Sequence, residues 1–272
     1  MSHQLPGIYV SEIRIYPVKS LGGVRIRQSD VYFEGLKHDR KWMLVDLHGT
    51  FLSQRRLPEM SMLTVLMEDN GFYIISKKQK CTPLFVSFET SSHERMTVKV
   101  WDDVTTAIPV GTEADWWLSE QLQYPVQLVM LDPDATRETY LENADAYIPV
   151  SFADDFPLHL ISEASLSDLN TRLAQPVGME RFRPNLVIAG TVPFAEDTWR
   201  KIRIGNAILE IATPCERCVM VNINQQTAAK TSEPLKTLAG YRKAEKKIHF
   251  GRNVFCKQTG SISEGDLVSI LE

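Results

Sequence analysis

Alternation with period two runs through roughly the first hundred residues, and a chain patterned this way must pair strands edge to edge. Residues 8–16 (Ile-Tyr-Val-Ser-Glu-Ile-Arg-Ile-Tyr) alternate apolar with polar side chains, most clearly over 12–15, as a strand with one buried face requires. Residues 42–46 form a short apolar run that stops before His48-Gly49. Residues 63–67 and 72–75 flank Asp69-Asn70-Gly71, a hairpin signal because Asn-Gly accepts positive φ. Residues 84–88 and 96–101 continue the series. Strand following strand across short turns predicts an antiparallel sheet or barrel.

Helices are expected as insertions. Thr112-Glu113-Ala114-Asp115 reads as a capping box opening a segment with Ala114, Trp117, Leu118 and Leu122 on one face. Ser162 reads as the start of a second helix, stapled by Ile161 and Leu166, with Leu166, Leu169 and Leu173 buried. A third, short helix is expected over 234–241. Further strands are expected at 186–189, 201–204, 207–212, 219–223 and 267–271. Residues 132–155 are acidic and weakly periodic, and read as a boundary or mobile loop. The fold class is therefore β-rich α+β, and the order of elements argues against a doubly wound sheet.

A net charge of −4 argues against a dedicated nucleic-acid surface. No run of about eighteen apolar residues is present, so no membrane span is expected. Residues 1–6 lack a basic and an apolar region, so no secretory leader is expected. Four cysteines in a chain of 272 residues do not make a disulfide framework, and the expected compartment is the cytosol.

Chemistry concentrates at a few places. Cys215-Glu216-Arg217-Cys218 holds two of the four cysteines around an arginine, which biases a thiol towards thiolate, a nucleophile and soft-metal ligand. The alternative is a pair of ordinary buried thiols. Structural zinc lacks two further ligands at regular spacing. One thiolate on a metal that arrives inside an organic cofactor suits the odd ligand count better. Tyr16-Pro17-Val18-Lys19-Ser20-Leu21-Gly22-Gly23 follows the first strand with a lysine, a hydroxyl and free backbone amides for an anion, or is simply a turn with a solvated lysine. Arg40 could pair locally with Asp39 or clamp an anion. In Arg181-Phe182-Arg183-Pro184-Asn185, the proline should hold Arg183 extended. Arg181, Arg183 and Asn185 would then share one face, bound for an anion or for Glu163, Glu180 or Glu196. Residues 249–253 read as a glycine turn before a short strand, and every histidine reads as structural or superficial.

Taken in order, Tyr-Pro-Val-Lys-Ser, Gly-Leu-x-x-Asp-Arg, Ser-Glu-Ala-Ser-Leu, Arg-Phe-Arg-Pro-Asn, Glu-Asp-x-Trp, Cys-x-Arg-Cys and Gly-x-Ile-x-x-Gly-Asp-x-Val resemble the MOSC-domain family with its N-terminal β-barrel domain. That family includes amidoxime-reducing components and YcbX-type proteins. The resemblance implies a β-barrel domain over 1–125 and a MOSC β-barrel domain with inserted helices over 126–272. It implies the molybdenum cofactor, an anionic molybdenum pyranopterin, with Cys218 as the metal ligand and Arg183 and Asn185 holding the pterin or its phosphate. Lys19, Ser20 and Arg40 would add anchors, and Glu216 and Arg217 would contribute by proximity. Asp155, Phe156 and Asn253 fall where the family contacts the cofactor. Cys215 is not expected to ligate.

The implied reaction is two-electron, two-proton reduction of small N-hydroxylated compounds. Asp154 or Asp155 is a candidate proton donor. The chain lacks the plant-type Cys-x4-Cys-x2-Cys cluster, so electrons are expected from a separate flavin or iron–sulfur protein. The alternative is a non-catalytic carrier of the cofactor, or of sulfur as a Cys218 persulfide. A metal-free binding protein is a third reading.

Overall fold

The computed structural model describes residues 7–78, 80–90, 92–142 and 145–272; residues 1–6, read above as lacking a leader, lie outside these. Strand accounts for 43% of the protein and helix for 16%, which settles the β-rich class. The main sheet orders its strands Val24–Ile26, Tyr9–Ile15, Leu186–Ala189, Leu158–Ser162, Lys247–Gln258, Ala207–Glu216, Lys201–Ile204 and Val268–Ile270. Beyond the last of these, Leu267 bridges back to Tyr9, so the sheet curls into a barrel. Its interior is filled by Val10, Ile13, Leu160, Ile188, Ile202, Leu209 and Val254, all buried.

Leu158–Ser162 and Leu186–Ala189 run parallel. Parallel neighbours need a crossover, and the helix Glu163–Thr171 lies between them. Ser162 caps that helix by accepting from Ser165 N at 3.1 Å. Ile161 and Leu166 sit in one apolar cluster with Leu169 and Leu173, as the staple requires. The helix Thr112–Leu122 also forms, with Ala114, Leu118 and Leu122 buried, but Gly111 occupies the cap and no side chain caps it. Asp115 instead accepts from Leu128 N at 2.7 Å, so the capping box is absent. The third helix is Leu235–Ala239.

The N-terminal half builds a four-stranded sheet, Trp42–Val45, Gln127–Leu131, Asp103–Pro109 and Met96–Val100, and a three-stranded sheet, Leu63–Glu68, Gly71–Ser76 and Leu84–Ser87. The hairpin sits where the sequence placed it, but Glu68 pairs with Gly71, so the two turn residues are Asp69 and Asn70. Gly71 does not take positive φ. A Cβ there would come within 2.3 Å of Val86 O, so this glycine admits the third strand.

Two other regions differ from the expectation. Residues 132–155 contain a hairpin, Glu138–Leu141 with Ala146–Pro149, in place of a mobile loop. Residues 219–223, expected as a strand, hold the 3-10 turn Val219–Asn222.

The two halves interleave. Tyr9–Ile15 belongs to the barrel of the C-terminal half, and Gln127–Leu131 pairs with Trp42–Val45. Among the described residues no helix is long and apolar enough to cross a membrane.

Candidate functional site

A cavity of about 490 Å³ opens at the junction of the halves, a size suited to a small organic ligand. Lys19, Ser20, Arg40, Arg55 and Trp101 come to its wall from the N-terminal half. Residues around 152–159, 181–185 and 215–221, with Asn253, come from the C-terminal half. The residues named above for the cofactor or for proton donation all line it: Lys19, Ser20, Arg40, Asp154, Asp155, Phe156, Arg183, Asn185, Glu216, Arg217, Cys218 and Asn253.

Lys19 is buried. Its ammonium donates to Phe152 O at 2.7 Å and Asp154 Oδ1 at 2.5 Å. Three amides of the turn beneath it are spent within the fold: Lys19 N, Leu21 N and Gly22 N donate to Trp42 O, Val18 O and Leu63 O. Burial depresses the Lys19 ammonium to about 8; Asp154 opposes the shift, and Arg137 and Arg40 reinforce it. Arg40 pairs with Asp39 and also lines the cavity. It also donates to Asn185 Oδ1 at 3.0 Å and Arg183 O at 3.3 Å.

Arg183 is not extended. Its φ is 56°, so the shared-face argument fails, and tertiary contacts explain why. The guanidinium lies over the Tyr16 ring at 4.2 Å and donates to Leu21 O at 2.6 Å. Neither Arg181 nor Arg183 pairs with Glu163, Glu180 or Glu196 in an ion pair within 4.0 Å among the described residues. Ser20 (φ 68°), Arg40 (φ 51°) and Arg183 (φ 56°) are all left-handed. That conformation costs a non-glycine residue about 1–2 kcal/mol, and such strain collects at functional sites. Asn185 is a buried strut: Oδ1 accepts from Arg40 and His159 N, and Nδ2 donates to Arg14 O at 3.1 Å.

The thiols divide differently from the expectation that Arg217 activates its neighbours generally. Arg217 Nη1 lies 3.2 Å from Cys215 Sγ, in the strand Ala207–Glu216. Cys218, half-buried just before the 3-10 turn, is met by Arg55, whose Nε and Nη2 lie 3.4 and 3.3 Å from its sulfur. Burial raises the Cys215 thiol, and the Arg217 charge only partly offsets this.

The carboxylates separate as well. Burial works to raise Asp154, but the Lys19 charge and hydrogen bond, the Arg55 charge and the Trp101 N–H outweigh it and hold it well below the usual range. Asp155 moves up through desolvation and the neighbouring Asp154 and Glu216 charges, with Thr139 and Lys247 opposing. Asn253 Nδ2 donates to Thr213 Oγ1 at 3.0 Å and lies 3.4 Å from Asp155 Oδ2. It belongs to the long strand Lys247–Gln258, so residues 249–253 are not a turn before a strand. Gly251 (φ 78°) lets that strand pass His159.

Sequence reasoning missed Arg55, Trp101 and His159. His159 is buried, and Arg217 Nη2 donates to its ring at 3.2 Å. Burial and then the Arg217 and Arg40 charges keep it neutral. None of the three carries a local signal; only the fold assembles them.

Six cationic side chains (Lys19, Arg40, Arg55, Arg181, Arg183, Arg217) face three carboxylates on this wall. Arg55 Nη1 and Arg217 Nε are buried with no hydrogen-bond partner among the described residues. Buried donors of this kind call for an acceptor, and an anionic ligand supplies one. Among the described residues no group of three or more His, Cys, Asp or Glu side chains converges as a metal site. A half-buried thiol on a cationic wall thus fits a metal that brings its other ligands and negative charge with it.

The MOSC domain family matches residues 148–269, and the MOSC N-terminal β-barrel domain family matches residues 7–125. A molybdenum cofactor sulfurase of Solanum lycopersicum is 32% identical over 265 residues, covering 89% of this chain and 32% of its own. Mitochondrial amidoxime reducing component 2 of Rattus norvegicus is 31% identical over 283 residues, covering 95% and 82%. Mitochondrial amidoxime-reducing component 1 of Homo sapiens is 28% identical over 278 residues, covering 96% and 82%. The chain thus spans about a third of the sulfurase and most of either reducing component.

Proposed function

This chain belongs to the MOSC family, with that family's N-terminal β-barrel domain, and from that membership we propose that it is a molybdenum-cofactor-dependent reductase of small N-hydroxylated compounds. The observation that carries the reading is Cys218. It is a half-buried thiol, met by an arginine, on a cavity wall with twice as many cations as carboxylates.

In this reading Cys218 ligates molybdenum, and Arg183, Lys19 and Ser20 face the anionic part of the cofactor. When bound, the cofactor supplies two-electron redox chemistry at the metal. Arg40 and Asn185 act mainly as struts, since Arg40 is paired with Asp39 and the Asn185 amide is spent on Arg40, His159 N and Arg14 O. Glu216 and Phe156 form part of the wall, and Arg217 locks Cys215 and His159 in place. Of the two aspartates, Asp155 is the better candidate for proton donation to a departing oxygen, because desolvation and the Asp154 and Glu216 charges move its carboxyl up while Asp154 is held down. Asp154 is held ionised and serves Lys19 and Arg55. Electrons come from a separate flavin or iron–sulfur protein, and the protein works in the cytosol without a membrane or nucleic-acid partner.

Molybdenum analysis and benzamidoxime reduction with an artificial donor test this. Wild type and Cys215→Ser are expected to carry near-stoichiometric metal, and Cys218→Ser at least tenfold less, with activity lost in parallel. Equal molybdenum in Cys218→Ser and wild type overturns the ligand assignment. The match to cofactor sulfurases favours a second reading, a sulfur or cofactor carrier. Persulfide on Cys218 in molybdenum-free protein supports it.

A further inference from the structure

Arg55 crosses from the N-terminal half to touch a sulfur of the C-terminal half. Two of its donors, Nε and Nη2, converge on Cys218 Sγ at 3.4 and 3.3 Å. The guanidinium rests on the Trp101 indole at 4.6 Å, and Nη2 lies 3.5 Å from Asp154 Oδ2. Its side chain is 26% exposed. Both its position and its orientation are therefore fixed from three sides.

The loop carrying Arg55 is itself fastened to the connection carrying Cys218. Gln54 and Gln225 exchange amide hydrogen bonds of 3.1 and 2.8 Å, and Gln54 also donates to Ser20 O at 2.7 Å. Both glutamines are buried. Gln225 lies just beyond the 3-10 turn Val219–Asn222, and Cys218 is that turn's N-terminal cap residue. One strut thus holds arginine and sulfur in register.

Resting on the reading that Cys218 ligates molybdenum, we propose that Arg55 is the positioning residue for that ligand: its two N–H groups fix the sulfur toward the cavity and withdraw electron density from it, which raises the reduction potential of the bound metal. Hydrogen bonds to a ligating sulfur weaken its donation and so favour the electron-rich, reduced metal. Arginine is suited to this role. Its planar fork presents two donors to one atom, stays charged when partly buried and stacks on an indole, whereas lysine offers a point charge on a flexible stem.

The test compares molybdenum-loaded wild type, Arg55→Gln and Arg55→Lys. Metal content is measured first, and the midpoint potential then by titration monitored through the Mo(V) paramagnetic signal. Arg55→Gln is expected to retain most of its molybdenum, with the equilibrium shifted about tenfold toward the oxidised metal, which is about 59 mV for one electron. Arg55→Lys should fall between Arg55→Gln and wild type. Loaded proteins with equal potentials and unchanged Mo(V) signals overturn this inference alone. Wild type without molybdenum overturns the cofactor reading and this inference with it.

A second measurement needs no metal and no altered arginine. In the cofactor-free protein the Arg55 Nε–H should exchange with solvent at least tenfold more slowly than in Cys218→Ala. Equal exchange rates would show that the sulfur does not accept the bond and would overturn the assignment.

Discussion

At the scale of single residues, Lys19 shows what the cavity demands. Burial brings its ammonium down to about 8, while an unfolded lysine keeps its proton to about 10.4. Between those values the unfolded chain binds a proton that the folded chain has released, so folding stability rises with pH across that window. The gain is on the order of 2 kcal/mol. Urea midpoints of wild type should therefore climb between pH 8 and 10 relative to Lys19→Met, and parallel profiles would show that Lys19 is not desolvated. Much of this residue-level chemistry was legible. Cys218, Arg183 and Lys19 announce themselves through motif and charge, and the cavity collects them all. What was not legible is who touches whom. Arg217 stands beside Cys218 in the chain yet contacts Cys215. The partner of Cys218 is Arg55, whose approach depends on Trp101 and Gln54, and no local pattern encodes a contact across 163 positions.

At the scale of elements, the long strand Lys247–Gln258 must bend past His159, and Gly251 is where it does so. A Cβ there would lie 2.6 Å from His159 Nε2 and 2.7 Å from Leu160 O, on a backbone with φ of 78°. Gly251→Ala is expected to lose about 3 kcal/mol or more from steric overlap and left-handed strain, read as a lower urea midpoint. A change below about 0.5 kcal/mol would mean the close approach is relieved at little cost. Elements with strong periodicity or caps were readable: the first strand, the Ser162-capped helix and Leu186–Ala189 all form. Elements governed by distant contacts were not. Pro184 argues for an extended Arg183, but the Tyr16 ring and Leu21 carbonyl hold it left-handed. The apolar run at 219–223 reads as a strand, yet Leu235 N and Thr231 N are tied to Asn222, which keeps the segment coiled beside the cavity.

At the scale of the whole molecule, the halves are joined by polar contacts as well as by sheet. Gln54→Leu or Gln225→Leu alone strands a buried amide and should lose about 1–3 kcal/mol. The double variant should lose less than the sum, because neither amide is then left without its partner. Strict additivity in chemical denaturation would show that the two amides are not coupled. The β-rich class could be read from alternation, but the interleaving could not. Alternation says that a strand needs a partner and is silent on how far along the chain that partner lies. The pairing of Tyr9–Ile15 with Leu186–Ala189 has a consequence during synthesis. At about 5–20 residues per second, this strand gains Val24–Ile26 on one edge within seconds but waits on the order of ten seconds or more for the neighbour on its other edge. Throughout that interval its apolar face is open to chaperones and to neighbouring nascent chains, so the cell must shelter an orphan edge before the cavity can exist.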